Sequence, residues 1–240
     1  METVSLASRM DLVPDVFDLN AEVFPGFVLM KRTPQTEESL RMLAAYQLVI
    51  LDGETLVASG HTVPISWTPG QLMPAGWSEV IEQGVTEFAK EVTTSTLCGF
   101  SVAIRQSHQG KGLSAEMLGA MKELGRQQHL NHLLIPVRPT FKSKYPLIPM
   151  DEYITWRRDD GTPFDPWMRV HERLGGKIVN VARNAMKISG TIEQWESWSG
   201  LRMKSSGKYI VPGALSPVNV NVGENTGLYL EDNVWYLYQL

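Results

Sequence analysis

From Thr96 to Ile104 the positions are apolar or β-forming almost without a break, and at Arg105, Gln106, Ser107 and His108 they turn polar. An apolar run of this length, closed by a polar segment, predicts a strand buried on both faces. Beyond it the rhythm changes: Leu113, Met117, Leu118, Met121 and Leu124 recur three or four residues apart, which lines up one face of a helix. Between the two stand Gln109, Gly110, Lys111, Gly112, Leu113 and Ser114. The predicted order is strand, glycine-rich turn, helix.

The same reading places the other elements. Residues 11–24 and about 36–45 predict two helices separated by a loop at Pro25 and Gly26. Residues 46–51 and 55–63 flank Asp52-Gly53, a hairpin signal. Within residues 66–94, Trp77, Val80, Ile81, Val85, Phe88 and Val92 mark an amphipathic helix that serves as a lid or as a packing flank. Residues 132–137 read as a strand, and 139–166 as a long irregular stretch rich in proline and aromatics. A helix follows from Pro166 to Gly175-Gly176, opened by proline and closed by glycine. Strands at 177–181 and 185–190, a short helix at 191–198, an extended segment at 209–222 and a last strand at 233–238 complete the reading.

Composition narrows the class. The 240 residues, 43% of them hydrophobic, suffice for one good core with an elaboration. A net charge of −4 without a basic block argues against nucleic acid as partner. The absence of a long apolar run and of a signal-peptide pattern argues against membrane, and the chain is read as soluble and cytoplasmic. Cys98 is the single cysteine, so no internal disulfide is expected, and no His/Cys spacing suggests a metal.

The glycine-rich turn carries the chemistry. The first turn of a helix leaves backbone N–H groups unpaired and partly positive, and glycines let a phosphate approach them. The spacing fits neither the Walker pattern nor the dinucleotide fingerprint.

Residues 109–114, Gln-Gly-Lys-Gly-Leu-Ser, resemble the acyl-CoA-binding signature of the GNAT N-acetyltransferase superfamily, Gln/Arg-x-x-Gly-x-Gly/Ala, with Ser in the last place. The helix ending His171, Glu172, Arg173, Leu174, Gly175 resembles the family helix that ends in Tyr-Glu-Lys-Leu-Gly. The tail from Ala185 to Leu240 resembles a longer GNAT subgroup, some of whose members are associated with nitrilase-type carbon–nitrogen hydrolases. The resemblance implies an α/β (α+β) fold: a central mixed, splayed sheet flanked by helices, with an inserted helix and a C-terminal β extension. We read residues 1–240 as one elaborated domain, with a core at about 10–190 and an extension at about 191–240 packed on it.

The resemblance also implies the site. Backbone groups of Val102, Ala103 and Ile104 would meet the pantetheine of acetyl-CoA or another acyl-CoA, and Gln109, Gly110, Lys111, Gly112, Leu113 and Ser114 its pyrophosphate. Amides near Ile104 would polarise the thioester. Arg105, Lys111, Arg138, Lys142 and Lys144 are candidate phosphate contacts, and equally ordinary surface charges. His171 stands where many members place the tyrosine that protonates the departing thiolate, and an imidazolium can serve in that role; a structural histidine is the alternative. The motif strand has no glutamate to act as base, and Cys98 reads as a core residue. Residues 24–31, together with Tyr153, Trp156 and Arg157 of the aromatic stretch, are expected around the acceptor. Arg157 or Arg158 would pair with a carboxylate there, or simply with Asp159 or Asp160. The implied reaction is acyl transfer to an amine of a small molecule, without metal; a homodimer is compatible with it. A non-catalytic acyl-CoA sensor and a protein N-terminal or lysine acetyltransferase are the alternatives.

Overall fold

A computed structural model describes residues 1–28, 33–71, 73 and 76–240. The strands are β1 (Glu2–Ser5), β2 (Gln47–Asp52), β3 (Thr55–Ile65), β4 (Thr96–Ile104), β5 (His132–Val137), β6 (Lys177–Gly190), β7 (Gly207–Tyr209), β8 (Val218–Asn221) and β9 (Thr226–Gln239). The helices are α1 (Val13–Val23), α2 (Pro34–Met42), α3 (Trp77–Ala89), α4 (Leu113–Gln127), α5 (Met150–Tyr153), α6 (Pro166–Arg173) and α7 (Ile192–Ser199). The strands join one open sheet in the order β1-β2-β3-β4-β5-β9-β8-β7, with β6 along the other edge of β9. This is the mixed, helix-flanked sheet expected from the sequence.

One irregularity organises the sheet. β4 and β5 run parallel and pair only over Thr96–His132, Leu97–Leu133 and Cys98–Leu134. Beyond these pairs each strand follows its outer neighbour: β4 stays with β3 up to the Ala58–Ile104 pair, and β5 stays with β9 up to Val137–Val234. The strands therefore part like a V. A bulge in β4 coincides with the fork, because Ser101 faces His61 and Gly99 faces Thr62, leaving Phe100 without a partner in β3. Bulges of this kind bend a strand and re-aim its side chains.

α4 covers one face of the sheet with Met117, Leu118 and Met121, all at or near zero exposure. The spacing read from the sequence is the spacing that packs. On other parts of the sheet α1 buries Val13, Val16, Phe17 and Leu19, and α3 packs Val80 beside Val63, Ile65 and Trp67. At roughly 1.5–3 kcal/mol for each fully buried large apolar side chain, these faces hold the helices that frame the fork.

The tail departs from the sequence reading. The strands expected at 177–181 and 185–190 are one 14-residue β6, continuous through a register shift between Ala182 and Met186. Its partner β9 is also 14 residues long. α7, β7 and β8 are inserted between them and pack with Phe27 around Trp195, Met203, Val218 and Tyr229. β1 was not anticipated; it is a short edge strand whose register on β2 runs from Glu2–Leu51 to Ser5–Leu48.

Candidate active site

The fork opens a cleft of about 530 Å³. Leu118 and Met121 of α4 and Trp167 and Val170 of α6 line it on one side, and Phe24, Pro25 and Trp77 on the other. The cleft thus crosses the sheet where β4 and β5 have separated.

The edge of β4 inside the fork has a definite polarity. The Arg105 amide donates to the Val57 carbonyl of β3 at 2.8 Å, and backbone groups alternate along a strand. Val102 and Ile104 therefore turn their backbone groups away from β3, toward the gap, and both line the cleft. Ala103 has the opposite parity: it faces Ser59 across the ladder, and its side chain is buried among Val49, Leu51 and Leu56. The Ile104 carbonyl accepts from Gln109 Nε2 at 3.1 Å, and the Phe100 carbonyl from Trp77 Nε1 at 3.0 Å. These bonds fix the rim of the fork.

At the mouth lies the glycine turn. Gly110 and Gly112 have φ +76° and +84°, values that L side chains rarely adopt. Gly112 caps α4, whose first internal bonds run from the Ala115 and Glu116 amides to its carbonyl. The amides of Gly110, Lys111, Gly112, Leu113 and Ser114 have no hydrogen-bond partner among the described residues. Five adjacent donors at a helix N-terminus make an anion cradle. Gln109, Gly110 and Ser114 line the cleft, Lys111 is exposed, and Leu113 offers only its amide because its side chain is buried.

The basic side chains read as phosphate contacts are employed elsewhere. Arg105 pairs with Glu22 at 2.8 Å. Lys142 is buried and donates to the carbonyls of Tyr145 and Leu215 at 2.8 and 2.7 Å, Lys144 lies over the Phe141 ring, and Arg138 binds the fully buried Glu231. Lys111 alone of the five stands at the turn.

His171 is fully buried behind Trp167, with its ring centroid 4.3 Å from the indole. Nδ1 lies 2.6 Å from the Tyr238 hydroxyl, and Nε2 has no partner among the described residues. Burial pushes the imidazole down to about 3, so it is neutral and outside the cleft lining. The proton-donor role expected for it has no support in this geometry. Tyr153, Trp156 and Arg157 do not line the cleft either. Tyr153 and Trp156 pack with Tyr145 and Phe164 in an aromatic cluster, and Arg157 pairs with Glu172 at the surface. The cluster is tied down by Asp165, which accepts from the Tyr153 hydroxyl at 2.9 Å and the Phe141 amide at 2.7 Å while capping α6. Arg158 pairs with Asp160, and of the 139–166 stretch it is Thr140 and Pro166 that line the cleft.

Of the residues expected around the acceptor near the start of the chain, Phe24, Pro25 and Val28 line the cleft, whereas Phe27 packs on Trp195 and Tyr229; Leu29, Met30 and Lys31 lie outside the described residues. Sequence reasoning missed His61 and Asn20, and it missed Arg138 in any role but phosphate binding; all three line the cleft. His61 is stacked on Phe100, and burial lowers it to about 4. Gln47 Nε2 donates to Leu43 and Thr62, so its Oε1 faces His61 Nδ1 at 3.0 Å. That assigns the proton to Nδ1 and leaves Nε2 accepting from Ser59 at 3.2 Å. Position at the open end of a strand was the available signal for Arg138, which directly follows β5. Among the described residues, no group of His, Cys, Asp and Glu is arranged to hold a metal ion, and no helix is long and apolar enough to cross a membrane.

No family model matches the chain. In sequence it is similar to the arginine N-acetyltransferase AvaD of Aspergillus versicolor, at 29% identity over 98% of this chain and 92% of that protein. In fold it is similar to the loading GNATL domain of CurA from Lyngbya majuscula, with TM-score 0.65, 16% identity and coverage of 99% of this chain and 96% of that one. It is likewise similar to the GphF GNAT-like decarboxylase in complex with isobutyryl-CoA, with TM-score 0.64, 12% identity and coverage of 100% and 99%. The chain thus has a GNAT-like fold and is similar almost end to end to an N-acetyltransferase.

Proposed function

We propose that the protein transfers an acyl group, acetyl in the first instance, from CoA directly to an amine of a small molecule. The observation that carries this reading is the pairing of an unpartnered amide cradle at residues 110–114 with an unpaired β4 edge in one cleft. The cradle suits the CoA pyrophosphate. The backbone groups of Val102 and Ile104 suit the amides of the pantetheine arm, which would extend the sheet as an added strand. Residues from α1 and α3 on the far side leave room for a second, smaller molecule.

The amine attacks the thioester carbonyl carbon, the carbon–sulfur bond breaks, and the proton lost by nitrogen ends on the departing thiolate. Among the described residues that line the cleft there is no Asp or Glu, and its one histidine is capped by Ser59. Catalysis then rests on placing a neutral amine beside the thioester and on backbone N–H groups that polarise its oxygen. AvaD carries arginine in its name, which supports an amino acid or another compact amine as acceptor. A cleft of about 530 Å³ walled by Phe24, Trp77 and Trp167 favours such an acceptor over a protein chain.

The test is amine-dependent release of CoA thiol from acetyl-CoA by the purified protein, with calorimetric titration of acetyl-CoA alongside. Release that depends on an added small amine supports the reading. Binding without release under every amine would instead make the protein a sensor.

A further inference from the structure

Arg138 is the one residue with a fixed charge among the described residues lining the cleft. Its guanidinium is braced from behind: Nε lies 3.0 Å from both oxygens of Glu231, and Nη2 lies 2.9 Å from Glu231 Oε2 and donates to the Gly213 carbonyl at 2.6 Å. Nη1 is not used in any of these bonds. Glu231 is fully buried and accepts from the Tyr229 hydroxyl and from Asn233 Nδ2 at 2.9 Å as well. With Nε and Nη2 taken up in this way, the guanidinium is held in one orientation and Nη1 is the end left to meet an anion.

Nearby, the buried Lys142 ammonium is taken up by the Tyr145 and Leu215 carbonyls. Asp232 and Asp151 stand nearer the surface and share Arg183. Arg138 is thus the cationic side chain of the described cleft lining, and it belongs to the end of β5 rather than to the 109–114 turn.

Building on the transferase reading, we infer that Arg138 selects the acceptor by binding a carboxylate, so that the acceptor class is free amino acids rather than simple amines. Arg138 is a specificity-determining residue in this account, and Glu231, Tyr229 and Asn233 hold it in position.

The experiment uses the full chain with saturating acetyl-CoA and paired acceptors that differ only in the carboxylate: arginine against agmatine, lysine against cadaverine, phenylalanine against phenethylamine. At least one amino acid is expected to exceed its amine by roughly 10- to 100-fold in kcat/KM, the range of a charge-assisted hydrogen bond. Arg138→Lys keeps a cation opposite Glu231 and removes Nη1, so it is expected to fold, to bind acetyl-CoA with unchanged Kd, and to lose most of that ratio. Amines turned over as well as their amino acids overturn the inference, as does an Arg138→Lys protein that keeps the wild-type ratio. A preference for malonyl-CoA over acetyl-CoA that disappears in Arg138→Lys also overturns it, by assigning the carboxylate to the donor. Failure of acetyl-CoA to bind, or of any acceptor to release thiol, overturns the transferase reading itself and the inference with it.

Discussion

The two ends of the cleft are built in opposite ways. The proposed donor end is local: Val102 and Ile104, then Gln109 to Ser114, come from one stretch of strand, turn and helix, and the groups they would offer are backbone groups. The proposed acceptor end gathers side chains from Asn20, Pro25, His61, Trp77, Arg138 and Asn233, no two of them neighbours in sequence. Its walls lean on the tail, through Phe27 packed between Trp195 and Tyr229 and Arg138 anchored by Glu231 of β9. Backbone recognition tolerates almost any side-chain replacement, whereas an assembled side-chain pocket changes with each element. A shared donor and a private acceptor follow from that difference.

The sharpest way to break this division is Trp195→Ala. Loss of a fully buried indole beside Phe27 is expected to destabilise the protein by about 3–5 kcal/mol and to raise the KM for the amine while the Kd of acetyl-CoA stays put; urea melts and steady-state kinetics check both. Gly112→Asp is the converse. It places an anion at the amide cradle and strains a position at φ +84°, and titration calorimetry is expected to find acetyl-CoA affinity down about 100-fold or more.

A pH series sharpens the picture. His61 and His171 are held near 4 and 3 against an unfolded value of 6.5. The unfolded chain binds protons first as pH falls, so stability is fully present above about pH 7 and is lost between pH 6.5 and the folded values. From pH 7 to 5 this amounts to roughly 2 kcal/mol for each histidine, readable by denaturant melts across that range. Because His171 stays neutral in the folded enzyme, His171→Gln is expected to leave the shape of the pH–rate profile unchanged. The smallest effect belongs to Tyr153→Phe. Removing its bond to Asp165 is expected to cost about 1 kcal/mol with no change in amine KM, as befits scaffold.

Legibility followed the same division. The strand, turn and helix of residues 96–127 could be read directly, because an apolar run, two glycines and a 3.6-residue period are all local signals. The splayed sheet came with the family resemblance. His171 misled because position in a helix says nothing of depth, and here Trp167 and Tyr238 enclose it. Tyr153 and Trp156 misled because aromatics in an irregular stretch look like a pocket until Asp165 is seen tying them to α6. Arg138 was noticed for its charge, but its partner Glu231 lies 93 residues away, and no periodicity connects the two. The long β6–β9 ribbon was seen only in fragments, since the register shift at Ala182 and Met186 interrupts its alternation.

β9 lies between β5 and β6 although it is the last strand of the sheet. During synthesis, then, the chain emerges with the inner edges of β5 and β6 waiting for a strand not yet made, and unpaired edges of that kind template aggregation. A ribosome that stalls before residue 226 would release a protein whose donor turn is complete but whose sheet is open at its centre and whose Arg138 has no Glu231. The brace of the proposed specificity residue and the partner of both edges thereby arrive together, on one strand.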